Sequence, residues 1–157
     1  MRVHLCAVGR LNRRSEERAL LDDYVSRFGQ TGRTLGWRFG TEVEVEDRKN
    51  GGTAAEAALL RAAIPDRSLT VCLDERGRVL SSPDFSEMMR TWADQGRSDV
   101  TFVIGGADGL DQSLRGQADF LLSFGKMVWP HKLVRVMMAE QLYRAASIIA
   151  GTPYHRG

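Results

Sequence analysis

Residues 100–109 have the sequence VTFVIGGADG, and this stretch decides the fold. Residues 100–104 form a short, continuous apolar run, which is typical of a strand buried on both faces of a parallel sheet. Gly105 and Gly106 follow directly, and two glycines at a strand end allow a ligand to approach the backbone closely. Taken alone, the pair is explained at least as well by a tight turn into a helix. The stretch therefore predicts a central strand whose carboxyl end is a candidate ligand site.

Further predicted strands lie on both sides of this stretch. Residues 69–73, LTVCL, are a second continuous apolar run, and residues 2–8 and 120–122 are predicted as shorter or edge strands. TEVEVE at positions 41–46 alternates with period two. This alternation predicts that the valines face a core and the glutamates face water.

The segments between these strands have the start and stop signals of helices. Ser15 is a good N-cap for the first helix, and Gly29 is a plausible end for it. Thr53 and Glu56 have the spacing of a capping box at the start of the second helix. Ser-Pro at positions 82–83 opens the third. Two more helices are predicted at residues 112–118 and 133–150. The alternation of strands and helices predicts a single α/β domain, residues 1–157, with a mainly parallel sheet flanked by helices.

The composition is that of an ordinary globular protein, with 157 residues, 43% hydrophobic and 27% charged. A net charge of +2 permits a polyanionic partner without requiring one. No apolar run approaches the roughly 20 residues that span a bilayer, and the N-terminus lacks a signal-peptide pattern. We therefore expect no membrane association and a cytoplasmic location. Cys6 and Cys72 lie in apolar runs and are predicted to be buried thiols, and the scattered histidines predict no metal site.

Three predicted strand ends are expected to meet in one pocket. Ligands of open parallel sheets bind outside the carboxyl ends of the strands. Leu73 and Asp74 end one buried strand, Gly105 and Gly106 end the next, and residues 123–129 follow the last. The dinucleotide fingerprint GxGxxG is absent, and so is the P-loop pattern GxxxxGK followed by Ser or Thr. These absences count against a Rossmann-like nucleotide binder.

The loop SFGKMVWPHK, at positions 123–132, is unusually apolar. Loops are normally polar because they run over the surface. An apolar loop must either fold into the protein or grip an apolar ligand or a partner subunit. An adenine ring needs such a slot, with backbone N–H and C=O groups to bind its edge.

The last helix and the C-terminal tail carry further polar candidates. Arg135 and Arg144 are nine residues apart, or about two and a half helical turns, so they face roughly opposite sides of the helix. Tyr154, His155 and Arg156 combine a ring that can stack, an imidazole that titrates near neutrality and a bidentate phosphate ligand. The alternative for this tail is a frayed terminus.

Five motifs together resemble the RlmH family of SPOUT-class enzymes, which methylate N3 of a pseudouridine in large-subunit (23S) ribosomal RNA. The motifs are AVG at 7–9, LDERG at 73–77, FVIGGADGL at 102–110, WPHKLVRVMMAEQLYRA at 129–145 and PYHR at 153–156. The match extends over nearly the whole chain and is tightest from Val100 onward. Residues 29–40 are poorly matched.

The resemblance implies a C-terminal trefoil knot, which sequence reasoning alone would reject because knots are rare. It implies a homodimer whose active site uses both subunits, and S-adenosylmethionine (SAM) bound in the knot. The residues implied to bind SAM are Leu73, Gly105, Phe124, Gly125, Lys126, Met127, Val128 and Trp129. The SAM sulfonium is cationic, so we expect the Lys126 side chain to point away and its backbone to make the contact. Gly125 stands where many relatives have a small hydroxyl residue, and backbone binding would make that difference unimportant.

Methyl transfer to a ring nitrogen mainly requires alignment of the reactants and removal of the N3 proton. His155 is the first candidate for proton transfer and His131 the second. Arg144 is expected to stabilise the developing anion at the base. Arg135, Tyr154 and Arg156 are the candidates for contacts with RNA, either a large-subunit ribosomal RNA or the ribosome. No metal is implied.

Two other functions agree with the same residues. The first is a SPOUT enzyme with another target, such as a transfer-RNA ribose oxygen. The second is a non-catalytic RNA-binding module for ribosome assembly, which would keep the fold without binding SAM.

Overall fold

Strands and helices alternate along the chain in the computed structural model, which describes residues 1–157. The strands are β1 (Arg2–Val8), β2 (Arg38–Val45), β3 (Leu69–Val79), β4 (Asp99–Ile104) and β5 (Phe120–Ser123). The helices are α1 (Glu16–Gly32), α2 (Gly52–Ala63), α3 (Ser82–Asp94), α4 (Gln112–Gln117) and α5 (His131–Ala150), with a 3₁₀ turn at Arg33–Leu35.

The five strands form one sheet in the order β2-β1-β4-β3-β5, and every pairing is parallel. The predicted α/β class with a parallel sheet is confirmed. β4 lies at the centre, and its Val100, Phe102 and Val103 are fully buried, as the continuous apolar run predicts. The trefoil knot implied by the resemblance stays a prediction.

Helices cover both faces of the sheet. One face packs against α1, α3 and α5, and the larger core cluster lies there, with Phe102 against Phe85 in an edge-to-face arrangement. The other face packs against α2 and α4 and includes Cys6 and Cys72. Burial raises the pKa of Cys6 to about 11 and that of Cys72 to about 12. Both cysteines are therefore unreactive thiols, as predicted.

β3 does not end at Leu73, where the apolar run stops. The strand continues to Val79, but Leu73 and Arg78 are both opposite Leu122 of β5, so the four residues between them leave the ladder. This excursion carries Asp74 to the edge of the sheet. The predicted end of this strand at Leu73 is therefore wrong, and its irregular continuation to Val79 was missed because those residues are mostly polar.

Helix starts were predicted with mixed success. The Ser15 hydroxyl caps α1, but this helix continues past Gly29 to Gly32. The predicted capping box at Thr53 is wrong: α2 has no side-chain cap, and the Thr53 hydroxyl instead donates to Asp111, 3.3 Å away. Ser81, one residue before the predicted position, caps α3.

The glutamates of β2 were predicted to face water, and this is wrong. Glu42 accepts two hydrogen bonds from the Arg18 guanidinium, at 2.7 and 2.9 Å. Glu44 accepts hydrogen bonds from Arg18 and from Arg135 of α5, at 3.1 and 2.6 Å. The face predicted to be solvated is therefore covered by α1 and α5. The glutamates that alternate with the valines in β2 form ion pairs there and are not fully exposed to water.

At the amino ends of the strands, His4 and Arg2 both bind the Asp99 carboxylate, at 2.8 and 3.0 Å. The hydrogen bond from His4, and then that from Arg2, hold the pKa of Asp99 below its ordinary value. A lowered pKa stabilises the folded state above the unfolded pKa of about 3.9, and the contribution is lost as the pH falls through the folded pKa.

We therefore expect Asp99→Asn to lower the free energy of unfolding by about 1 kcal/mol between pH 5 and 7. The difference from the wild type should shrink as the pH falls below about 4 toward the lowered pKa of Asp99, where the wild-type carboxyl is protonated too. Urea denaturation across this range measures it. Asp23→Asn is the control, since Asp23 forms an exposed i,i+4 pair with Arg27 and should change stability by less than about 0.5 kcal/mol. A difference that did not vary with pH would contradict the assignment.

Candidate active site

A cleft of about 380 Å³ lies at the carboxyl ends of β3, β4 and β5. Its volume is within the range of small-molecule binding sites. The residues that line it are Leu73, Asp74, Glu75, Arg76, Gly106, Ala107, Asp108, Gly109, Leu122, Phe124, Gly125, Met127, Val128, Trp129 and Val134. The three strand-end loops predicted to form one pocket do come together. We refer to this site as the strand-end cleft.

Gly105 is buried behind the 106–109 turn, which forms one wall of the cleft. A Cβ there would lie 2.6 Å from the carbonyl carbon of Gly109. Only glycine allows the 106–109 turn to fold back this closely, and the turn is closed by a hydrogen bond of 3.0 Å from the Gly109 N–H to the Gly106 carbonyl. Gly105 itself does not line the cleft, whereas Gly106 and Gly109 do.

The loop between β5 and α5 forms the opposite wall. The Ser123 hydroxyl accepts a hydrogen bond from the Gly125 N–H and donates one to the Gly125 carbonyl, at 3.0 and 3.1 Å. Gly125 has φ +109°, a conformation that other residues rarely adopt. The indole N–H of Trp129 donates to the Phe124 carbonyl at 3.4 Å. These contacts define a backbone conformation in which a side chain at position 125 would be strained.

The side chains of this loop are exposed in the single chain. Met127 is 73% exposed, Val128 86% and Trp129 41%. Phe124 is the exception, because it is partly buried against the core of its own chain. The apolar surface of Met127, Val128 and Trp129 is left available to a ligand or a partner subunit. Lys126 is exposed and does not line the cleft, so the backbone contact expected of it stays a prediction.

Charged groups line the part of the cleft away from this loop. Asp74 is almost fully buried and lies 3.3 Å from Arg76 and 3.6 Å from Arg115. Glu75 and Asp108 also line the cleft. One wall is apolar and the other carries both signs of charge, an arrangement that suits a ligand with a flat apolar portion and charged ends.

His131 begins α5 beside the end of β1. A Cβ on Gly9 would lie 3.9 Å from its Nε2. Burial, and then the charges of Lys132 and Arg135, lower the pKa of His131. The imidazole is therefore neutral near pH 7 and able to accept a proton, although it does not line the strand-end cleft.

Arg135 was a candidate for RNA contact, and the structure places it in the interior. Its side chain is 1% exposed. It donates to Glu44 at 2.6 Å and to the carbonyls of Val8 and Gly9 at 3.2 and 3.0 Å. Arg135 therefore joins α5 to the ends of β1 and β2, and we no longer assign it to RNA.

The tail packs on α5 and is not frayed. Tyr154 stacks on Tyr143 with a centroid distance of 4.4 Å, and its hydroxyl donates to Glu140 at 2.9 Å. Arg144 donates to Glu140 at 3.0 and 2.5 Å and to Nδ1 of His155 at 3.1 Å. Burial and the contact with Glu140 raise the pKa of Tyr154. Sequence reasoning missed Glu140, although its i,i+4 spacing from Arg144 is typical of a helical ion pair.

The contact with Arg144 defines how His155 can act. A guanidinium has only donors, so Nδ1 of His155 must accept, and a neutral imidazole then carries its proton on Nε2. In this arrangement His155 can donate a hydrogen bond to a substrate through Nε2. To accept a proton it would first have to release Arg144.

The predicted site residues fall into two groups at opposite ends of α5. The strand-end cleft and His131 lie at its start, while Arg144 lies thirteen residues later, beside Tyr154 and His155. Thirteen residues of α-helix measure about 20 Å. Arg144, Tyr154 and His155, which we call the tail cluster, do not line the strand-end cleft of their own chain.

The chain was compared with known proteins. A family model described as predicted SPOUT methyltransferases matches residues 1–155. The chain belongs to the SPOUT methyltransferase family. "Ribosomal RNA large subunit methyltransferase H" of Roseobacter denitrificans is 65% identical over 156 residues, which is 99% of each chain, and a Ruegeria sp. protein with the same name is 60% identical over the same share.

Solved structures agree with the SPOUT fold. A probable methyltransferase from Bordetella pertussis superimposes with a TM-score of 0.54 at 17% identity, covering 92% of this chain and 95% of that one. A probable methylase family protein from Haemophilus influenzae gives 0.52 at 12% identity, covering 99% and 70%. At these identities the likeness concerns the fold alone.

No helix is both long and apolar enough to cross a membrane. No group of three or more His, Cys, Asp or Glu side chains is placed to hold a metal ion.

Proposed function

We propose that this chain transfers a methyl group from SAM to N3 of a pseudouridine in large-subunit (23S) ribosomal RNA. The observation that carries the proposal is the convergence of three strand-end loops in one cleft, in a member of a methyltransferase family. The names of its 60–65% identical relatives support ribosomal RNA as the substrate.

The strand-end cleft fits SAM. Phe124, Met127, Val128 and Trp129 provide an apolar wall for an adenine ring, and the backbone around Gly125 provides N–H and C=O groups for its edge. The charged wall suits the amino acid portion of SAM, which carries an ammonium and a carboxylate. The bound cofactor supplies an activated methyl group on sulfur. The chain then has to position the base and assist the loss of its N3 proton.

A homodimer accounts for the separation of the tail cluster from the cleft. A second groove of about 400 Å³ borders the strand-end cleft, because Leu122 and Phe124 line both. It is mainly apolar and includes the exposed Leu20 and Val79. A second copy seated on this continuous apolar face would bury it and could bring its own tail to the cleft.

In such a composite site each polar residue has a defined task. His155 offers Nε2–H to the carbonyls that flank N3 and so stabilises the anion formed when the proton leaves. Arg144 is paired with Glu140 and positions His155 through its hydrogen bond to Nδ1. His131 is neutral and stands near the cleft, and it is the group available to take that proton. Arg156 is exposed and suited to a phosphate. The cytoplasm, where ribosomes are assembled, is the expected location.

The test is to incubate the protein with labelled SAM and ribosomes that lack the modification, and to identify the labelled nucleoside. We expect 3-methylpseudouridine in the large-subunit RNA. A label on transfer RNA or on a ribose oxygen would contradict the proposed substrate. Failure to bind SAM in calorimetry would indicate a non-catalytic RNA-binding module instead.

A variant pair tests the cleft itself. Met127→Ala removes apolar contact area from the cleft wall, and we expect the dissociation constant for SAM to rise by roughly tenfold. Leu59→Ala truncates another exposed apolar side chain, on α2 and outside the cleft, and should leave SAM binding unchanged. Equal affinities for the two variants in calorimetry would place SAM elsewhere.

A further inference from the structure

The loop between β1 and α1 carries three exposed arginines, Arg10, Arg13 and Arg14, in the sequence RLNRR. None of their guanidinium groups forms an ion pair or a hydrogen bond with the protein. Four other exposed arginines are paired with carboxylates, namely Arg2, Arg27, Arg76 and Arg90. The remaining exposed arginines lack an ion pair too, but they are not clustered in one short loop. The loop is therefore a local concentration of positive charge that the chain does not neutralise.

The backbone of this loop is held in place. Leu11 is buried, and its N–H donates to Glu44 at 2.7 Å. The Asn12 carbonyl accepts from the N–H and the hydroxyl of Ser15, and the Asn12 side chain accepts from the Arg14 N–H at 2.9 Å. Because Leu11 points inward on a constrained backbone, the arginines on either side of it are presented to solvent.

Glu42 and Glu44, the partly buried carboxylates of β2, are already paired with other cations. Glu42 pairs with Arg18, and Glu44 is shared between Arg18 and Arg135. The two acids in the first turn of α1 form no ion pair with the loop. The three arginines therefore have no partner of their own to displace before they bind an anion.

The loop follows Val8, and Val8 lies against Gly106 in the wall of the strand-end cleft. A Cβ on Gly106, which lines the cleft, would lie 3.1 Å from a methyl group of Val8, at the end of β1. Gly9, the next residue, lies beside His131. β1 and β4 are neighbours in the sheet, and neighbouring strands are about 4.8 Å apart. The arginines thus belong to the same edge of the sheet as the cleft.

We propose that Arg10, Arg13 and Arg14 form a phosphate-binding surface that positions the RNA backbone while the target base enters the strand-end cleft. This inference extends the proposed function, from which it takes RNA as the partner. Guanidinium groups bind phosphate oxygens bidentately, and cations that neutralise phosphates release counterions. Contacts of this kind position a nucleic acid without reading its sequence.

The test compares two triple variants of the full-length protein. R10Q/R13Q/R14Q removes the loop charges, and R33Q/R38Q/R97Q removes the same charge from three exposed, unpaired arginines near the amino ends of the strands. Binding of each to large ribosomal subunits is measured without SAM as a function of salt concentration. SAM affinity and thermal unfolding are measured in parallel, and neither should change because all six side chains are exposed and unpartnered.

We expect the loop variant to bind ribosomal subunits at least tenfold more weakly at about 0.15 M salt. The slope of log affinity against log salt should be shallower by about 2 to 3, since each phosphate contact contributes nearly one unit. The control variant should retain most of the affinity and the slope. Wild-type affinity in the loop variant, or an equal loss in both variants, would overturn the inference. The labelled nucleoside tests the methylation separately, so failure of one proposal is distinguishable from failure of the other.

Discussion

Removal of residues 154–157 is expected to reduce methyl transfer by at least about 100-fold, with SAM affinity unchanged. The tail carries Tyr154 and His155, and in the proposed composite site His155 stabilises the anion at the base. Loss of one such preorganised donor typically lowers the rate by about 100- to 1,000-fold. In the proposed site SAM contacts only the strand-end cleft, so its dissociation constant should not change. Single-turnover methylation of ribosomes and SAM calorimetry measure the two effects.

Two controls separate chemistry from stability. Deletion of Gly157 alone shortens the chain without touching the tail cluster and should preserve the rate. Tyr154→Phe keeps the ring stacked on Tyr143 but loses the hydrogen bond to Glu140, so we expect a smaller loss than the deletion causes. Wild-type transfer in the deletion variant would remove the tail from the active site.

Arg135→Met is expected to lower the free energy of unfolding by about 3 to 5 kcal/mol. The substitution leaves the carboxylate of Glu44 short of a partner and removes the donor to the Val8 and Gly9 carbonyls. The free energy of unfolding of a native domain is about 5 to 15 kcal/mol in total, so the expected loss is a large fraction of it. Urea denaturation at pH 7 measures it. Arg27→Gln, at an exposed helical pair, should cost less than about 0.5 kcal/mol.

The pH dependence of the same variant has a definite sign. Burial would raise the pKa of Glu44, but the Leu11 N–H and the Arg135 guanidinium outweigh it and keep that pKa below its ordinary value. Without Arg135 the pKa of Glu44 rises. The difference in stability between the wild type and the variant should therefore become smaller as the pH falls toward the pKa of Glu44. The double variant E44Q/R135M, which leaves no unpaired charge at this point, should be more stable than R135M alone. A loss below about 1 kcal/mol in the single variant would contradict the buried ion pair.

The parts of the site that sequence reasoning predicted correctly share a local cause. The apolar run ending at Gly105 predicts a buried parallel strand, and so does the run ending at Leu73. The carboxyl ends of such strands lie at one edge of a sheet. The cleft formed by these ends and by the loop around Met127 follows from that geometry. The resemblance of five motifs to a known family then supplied the chemistry, which no spacing in the chain would have supplied.

The parts that sequence reasoning missed depend on contacts between distant residues. Arg135 and Glu44 are 91 residues apart, and no local pattern indicates that they meet. Because Arg135 covers Glu44, this glutamate of β2 is also less exposed to solvent than its alternation with valine predicts. At the other end of α5, the i,i+4 spacing of Glu140 and Arg144 indicates an ion pair. The hydrogen bond from Tyr154 to Glu140 could not be predicted, because it depends on the path of the tail.

The sequence by itself determined the order of strands and helices, the parallel sheet, the apolar loop around Met127 and the family. Only the tertiary structure decided which charges are paired and which are free. It buried Arg135, packed the tail on α5 at a place where it does not line the cleft, and left the arginines of the β1–α1 loop without partners. The physical reason is that hydrophobic periodicity depends on residues close together in the sequence. The partner of a charged side chain, in contrast, belongs to a distant segment that comes near it only after folding.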